Sequence, residues 1–291
     1  MKALFRTESK TWREIQTNLL FIGIVELLIY NGGLWIKYRL QRRFDLFSPL
    51  IGPELGLYYN ANFWIIIPIL LTLAFMALTC PGALGVFTEG SPGRKLKALG
   101  KGLALGFALL GSLTLLAALT GAVTFRFNRF NWRLIPAILP LFIQCSAEEI
   151  LLRGYVPAVA GERHGWDGVC FASGALFIFH HIINMEYFGF NTMFCLDVFL
   201  LGVFLCLLVR REGNFWIACG FHTAWNYTQT YLFSISNSGE NVSIGTFQGT
   251  LNAENGFYQK VYGYEGSIAT AVLIGALILW LIYRLRKAEK I

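Results

Sequence analysis

The chain has 291 residues, of which 55% are apolar, 15% aromatic and only 14% charged. An average soluble domain carries about 25% charged residues, and the mean hydropathy here is +0.54, so composition excludes a disordered chain, a secreted mini-protein and an ordinary cytosolic enzyme. The net charge of +7 comes from basic residues beside apolar runs, which read as membrane-topology signals and not as a nucleic-acid surface.

What remains is an all-α polytopic membrane protein, one membrane domain over 1–291. The segment 1–16 is short, basic and partly amphipathic. A cleaved leader does not fit, because the apolar run that follows carries Glu26 and no small-residue cleavage site follows that run. At about 20 residues per span, the hydropathy pattern predicts eight helical spans: 17–36, 62–81, 103–124, 134–159, 168–184, 190–209, 214–235 and 266–283. The fifth is short enough to be tilted or partly buried in protein. A membrane barrel would alternate apolar and polar residues, and runs such as Ile65 to Phe75 do not.

An even number of spans puts both termini on one side. With the termini in the cytoplasm, the inner segments hold 15 Lys and Arg and the outer ones eight, which favours cytoplasmic termini. The four basic residues in 37–61 argue against that orientation. The Asn-, Gly- and Ser-rich stretch 236–265 reads as an external loop, and its Asn241-Val242-Ser243 fits a glycosylation sequon. Residues 266–291 form the last helix and a basic tail. The six cysteines lie in or beside apolar runs without a CxxC pair, so buried free thiols are expected.

A charge at the bilayer centre costs roughly 2.5–3.5 kcal/mol on the insertion scale, so it needs a partner, a water cavity or a function. Such residues gather in spans four to seven. Span four carries Glu148, Glu149 and Arg153. Glu149 and Arg153 stand at i,i+4 and form an intrahelical ion pair, which leaves Glu148 about 100° around the helix, facing another neighbour. Span five carries Phe177, His180, His181 and Asn184, and span seven carries His222, Asn226 and Gln229. Adjacent histidines point about 100° apart, so at most one of His180 and His181 is expected to face Glu148. His222 and Asn226 project side by side, and both offer N–H donors suited to an oxyanion. Two readings stand for each group: a polar seam that packs helices, or a catalytic centre with Glu148 as general base or metal ligand. Glu26, in span one, and Asp197, in span six, read as structural or gating residues.

Three motifs in order, Glu148-Glu149-x-x-x-Arg153, Phe177-x-x-x-His181 and His222-x-x-x-Asn226, each in an apolar span, resemble the CAAX prenyl protease and bacteriocin-processing (Abi) family of intramembrane endopeptidases. The resemblance covers roughly 133–235, while residues 1–132 rest on topology alone. It implies an eight-helix peptidase with a polar intramembrane active site opening toward the cytosol. Glu148 and His181 would activate the attacking water, and His222 and Asn226 would form the oxyanion hole. Glu149 and Arg153 would hold the site in shape. Only the Phe177 spacing selects His181 over His180.

Peptide hydrolysis needs a base, a proton donor for the leaving amine and oxyanion stabilisation, and these residues supply all three. No cofactor is expected. A zinc-dependent alternative would use Glu148, His181 and His222, three protein ligands and one water, although no HExxH is present. The expected partners are membrane lipid and a peptide or protein substrate reaching the site from the membrane, such as a lipidated C-terminus or a leader peptide. Two other functions compete: a non-enzymatic immunity or scaffold protein of the same fold, and a proton- or ion-coupled transporter. Transporters usually show related halves, and no internal repeat is evident here.

Overall fold

The computed structural model describes residues 18–88, 90–240, 244–252 and 255–289. The basic segment 1–16, the sequon at 241–243 and the side chain of Glu26 lie outside the described residues. The chain is mostly helical, as its composition requires, and seven of its helices are long and apolar enough to cross a membrane among the described residues.

The first, α1 (Leu19–Arg43), is capped by Asn18, whose side chain accepts from the Leu20 amide, and ends on Arg42 and Arg43, cations that complement the carboxyl end of a helix. It runs seven residues past the expected boundary, so Lys37 lies inside the span and not in a loop. Helices α2 (Pro53–Phe63) and α3 (Ile66–Thr79) are joined by one turn and form the second span. Helix α4 (Pro92–Leu119), capped by Ser91, forms the third and starts eleven residues earlier than expected.

Next comes α5 (Ile138–Glu149), which passes through a π-helical turn at Ile150–Tyr155 into α6 (Val156–His180). Helix α6 is broken at Gly165 (φ 63°, ψ −178°). That conformation suits glycine, which lacks the Cβ that would clash there, and it separates the fourth and fifth spans. A one-residue break at His181 leads to α7 (Ile182–Phe188). Helix α8 (Thr192–Glu212) is the sixth span, and α10 (Ile268–Glu289) the last.

Between them, the expected span 214–235 takes a different form. It is α9 (Trp216–Tyr227), 12 residues, extended by a five-residue π-helical turn at Thr228–Leu232. At 1.5 Å per residue this is about 25 Å, short of the roughly 30 Å hydrocarbon core, and every residue from Ile217 to Tyr231 is buried. It is the inner helix of the bundle. The other helices grade outward: 61% of the apolar window of Trp132–Gly161 is buried, against 22% of that of Ile268–Ala288.

Glycines let α4 and α9 approach closely. A Cβ on Gly106 would stand 2.5 Å from the Phe221 carbonyl oxygen, and one on Gly220 would stand 2.3 Å from that of Leu99. Small residues spaced four apart, here Gly102 and Gly106, are a common way for helices to pack without a hydrophobic drive.

The one sheet among the described residues pairs β1 (Val123–Phe127) antiparallel with β2 (Phe247–Leu251), with Phe125 opposite Gly249. It ties the connection after α4 to the stretch before α10, on one side of the bundle. That second stretch is not a solvated loop. Ile235, Tyr258, Tyr262, Tyr264 and Glu265 are buried, and the segment folds back over the helix ends.

Candidate active site

The site is built where α5, α6 and α9 meet under α1. Glu148 and Glu149 close α5, and both are buried. The π-helical turn that follows carries Arg153, whose Nη1 donates to Glu149 Oε1 at 3.1 Å, with neither side chain exposed. Such insertions are rare and recur at functional sites. The guanidinium also lies 4.6 Å from the centre of the Phe177 ring, a cation–π contact that helps hold an otherwise buried charge.

Helix α9 brings His222 to the same carboxylate, with Nδ1 2.8 Å from Glu149 Oε1. Glu149 thus joins two helices through one oxygen. A carboxylate can only accept, so His222 Nδ1 carries the proton and Nε2 is left for the cavity side, 3.9 Å from Glu148 Oε2. Glu148 Oε1 accepts from Gln144 Nε2 at 3.1 Å and lies 3.6 Å from His180 Nε2. Its Oε2 accepts no hydrogen bond from the described residues.

His181 falls at the break between α6 and α7. Its Nδ1 is 2.9 Å from the Phe177 carbonyl oxygen. That acceptor fixes the proton on Nδ1 and leaves Nε2 as the ring's acceptor when neutral. The Phe177 ring stands edge-on to both His181 and His222, with centroids 4.8 and 5.9 Å apart. The His180 ring lies against that of Tyr30 of α1, with centroids 3.8 Å apart and the planes tilted by 49°. Asn226, one turn after His222, points Nδ2 toward Cys145 Sγ at 3.6 Å, a weak acceptor that a stronger one would displace.

Glu148, Phe177, His180, His181, His222 and Asn226 line one cavity of about 180 Å³. At about 30 Å³ per water it has room for roughly six waters. Glu149 and Arg153 stand behind the lining. The cluster holds two carboxylates and one guanidinium in a buried setting, and His222 is the ring with a carboxylate on its far nitrogen.

Residues 130–228 match the family model of the Rce1-like type II CAAX prenyl endopeptidases. The match contains all seven residues of the three motifs, and it supports the resemblance drawn from the sequence. Comparison with curated proteins and with solved structures gives no match. The chain is a multi-pass membrane protein, and its segment 130–228 is similar to the CAAX-protease-like intramembrane peptidases.

Several residues around the Rce1-like segment were not evident from motifs. Gln144 lies one turn before Glu148 and gives that carboxylate the local partner its spacing had seemed to deny it. A polar residue at i−4 in an apolar span was the available signal. Glu265, just before α10, is buried and accepts from both the Ser238 amide (3.0 Å) and the Ser238 hydroxyl (2.7 Å). Burial pushes its carboxyl above the ordinary value, against the pull of the Ser238 hydrogen bonds. Glu265, Ser238 and Lys37 line the same cavity. Asp197 stands apart from the site. Its Oδ2 accepts from the Ser267 amide at 2.9 Å, next to the start of α10, which gives it an anchoring role. Among the described residues, no group of three or more His, Cys, Asp or Glu side chains is arranged to hold a metal ion.

Proposed function

We propose that the chain hydrolyses peptide bonds inside the membrane with water activated by Glu148. The observation that carries this is Glu148 itself. It is buried in the cavity, braced at one oxygen by Gln144, with the other 3.9 Å from His222 Nε2, and it shares the lining with His181; the far nitrogens of both rings are already held. In this reading Oε2 takes a proton from the attacking water while His181 Nε2 orients that water. The new C–O bond forms as charge moves to the carbonyl oxygen. His222, protonated at both nitrogens beside Glu149, donates from Nε2 to that oxyanion, and Asn226 Nδ2 turns from Cys145 to donate the second hydrogen bond. The C–N bond then breaks, and Glu148 returns its proton to the departing amine. A positioned base contributes about 10²–10⁴-fold, and one oxyanion donor about 2.7–4 kcal/mol. Glu149 and Arg153 position His222, and His180 braces Glu148 from the Tyr30 side.

A zinc-dependent reading draws on the same tautomers. A metal-ligating histidine also keeps its far ring nitrogen on a carboxylate or a carbonyl, as His181 and His222 do. It needs Glu148 as a ligand, which removes the free base, and it needs the three ligands to converge on one point. The glutamate mechanism keeps Glu148 free as the base and requires only that Asn226 turn from Cys145.

The substrate is proposed to be a membrane-borne peptide such as a lipidated C-terminus, because the cavity lies among spans. The test is cleavage by the purified chain of a farnesylated CAAX peptide, its unprenylated twin and a leader-peptide pool, with Glu148→Ala as control. Preferential cleavage of the farnesylated peptide, lost in Glu148→Ala, is expected. Equal cleavage of both CAAX twins overturns the lipid preference. Cleavage that survives in Glu148→Ala overturns the mechanism. The non-enzymatic alternative predicts no cleavage by either protein.

A further inference from the structure

The cavity has a second charged end outside the Rce1-like segment. Lys37, on α1, is only 8% exposed and lines the cavity together with Tyr30 and Leu34 from the same helix face. Among the described residues its ammonium makes no hydrogen bond and no ion pair. It lies 4.8 Å from the Tyr38 ring, and its electrostatic partner, Glu240, is exposed and beyond ion-pair distance. A buried cation inside a span marks a ligand or ion path by default, and this one looks into a site that already holds the hydrolytic groups.

Its position can be measured along α1. Tyr30 packs against His180, which sits beside Glu148. Lys37 is seven residues further, about 10.5 Å along the axis at 1.5 Å per residue. An extended peptide covers about 3.3–3.6 Å per residue, so the rise along α1 from Tyr30 to Lys37 corresponds to about three residues of extended peptide.

We infer that Lys37 binds a carboxylate of the substrate and thereby sets which peptide bond lies over Glu148. The inference rests on the peptidase reading, and it makes Lys37 a specificity-determining residue. Two carboxylates have the right chemistry, a C-terminal one and an acidic side chain near the end of the chain. The position of Lys37 across the cavity from the hydrolytic groups favours the C-terminal one.

Binding tests this apart from cleavage. The full chain carrying Glu148→Gln is titrated in detergent with three fluorescent farnesylated peptides: a free acid, its C-terminal amide, and an amide ending in Glu. The acid is expected to bind about tenfold more tightly than the plain amide. Lys37→Met should remove that difference by weakening the acid alone, and Lys37→Arg should largely restore it. Tight binding of the Glu-ended amide moves the anchor to an acidic side chain. Equal binding of acid and amide, no binding of any peptide, or equal weakening of all three by Lys37→Met overturns the inference. Cleavage by the chain with Glu148 intact is read in parallel. Acid-selective, Lys37-dependent binding without cleavage overturns the peptidase reading and leaves the anchor standing, whereas equal kcat/KM for acid and amide overturns the anchor alone.

Discussion

Glu149 is the residue on which the site's geometry turns, since one of its oxygens serves both Arg153 and His222. Removing one partner of a buried pair leaves an uncompensated charge, which costs about 3–5 kcal/mol. Arg153→Met should therefore lower the thermal midpoint more than Arg153→Met combined with Glu149→Gln, a non-additivity expected of direct partners. Additive losses in thermal melts would show that the pair is not coupled. The sequence made the Glu149–Arg153 pair legible because i,i+4 spacing is local. It could not show that His222, 73 residues away, shares the same oxygen, because that contact depends on how α9 packs. The Phe177 spacing selected His181 of the adjacent pair, but spacing could not show that His180 also reaches Glu148. Both line the cavity because the helix breaks at His181, and a straight helix had been assumed.

At the scale of elements, the packing of α4 on α9 explains why a helix too short to span can carry two site residues. Gly106→Ala would place a methyl group 2.5 Å from the Phe221 carbonyl oxygen. Overpacking of this kind costs about 1–3 kcal/mol, so the variant should melt earlier and lose activity through displacement of His222. Gly100→Ala, on the same helix but with nothing within 4 Å, should be neutral or gain up to about 1 kcal/mol from helix propensity. Equal melting temperatures for the two variants would contradict the close approach. Hydropathy located seven spans to within several residues to about a turn and a half at most ends, and up to about three turns at the start of α4, because apolar composition is averaged over a window. It missed the two-stranded sheet, whose five-residue strands pair across more than 100 residues, and it placed Lys37 in a loop because the window closed seven residues before the end of α1.

At the scale of the whole molecule, the segment before α10 closes the cavity through Glu265. A carboxyl raised by burial favours its proton in the folded state, so its contribution to stability is most favourable below the ordinary Glu value, near 4.3. That contribution declines as pH rises through the folded value. The thermal midpoint of the wild type minus that of Glu265→Gln should fall as pH increases from about 4 to about 8, and a difference constant with pH would refute the assignment. The same segment reads as an external loop from its Asn, Gly and Ser content, and that composition does not report that Tyr262, Tyr264 and Glu265 turn inward. The central claim is that Glu148 activates water in a cavity shared by α1, α5, α6 and α9. The most direct test compares single-turnover peptide cleavage by the wild type and Glu148→Gln, each with and without a strong chelator. The account predicts a loss of about 10²-fold or more in Glu148→Gln and no effect of chelator on the wild type, whereas loss on chelation with recovery on added zinc would contradict it.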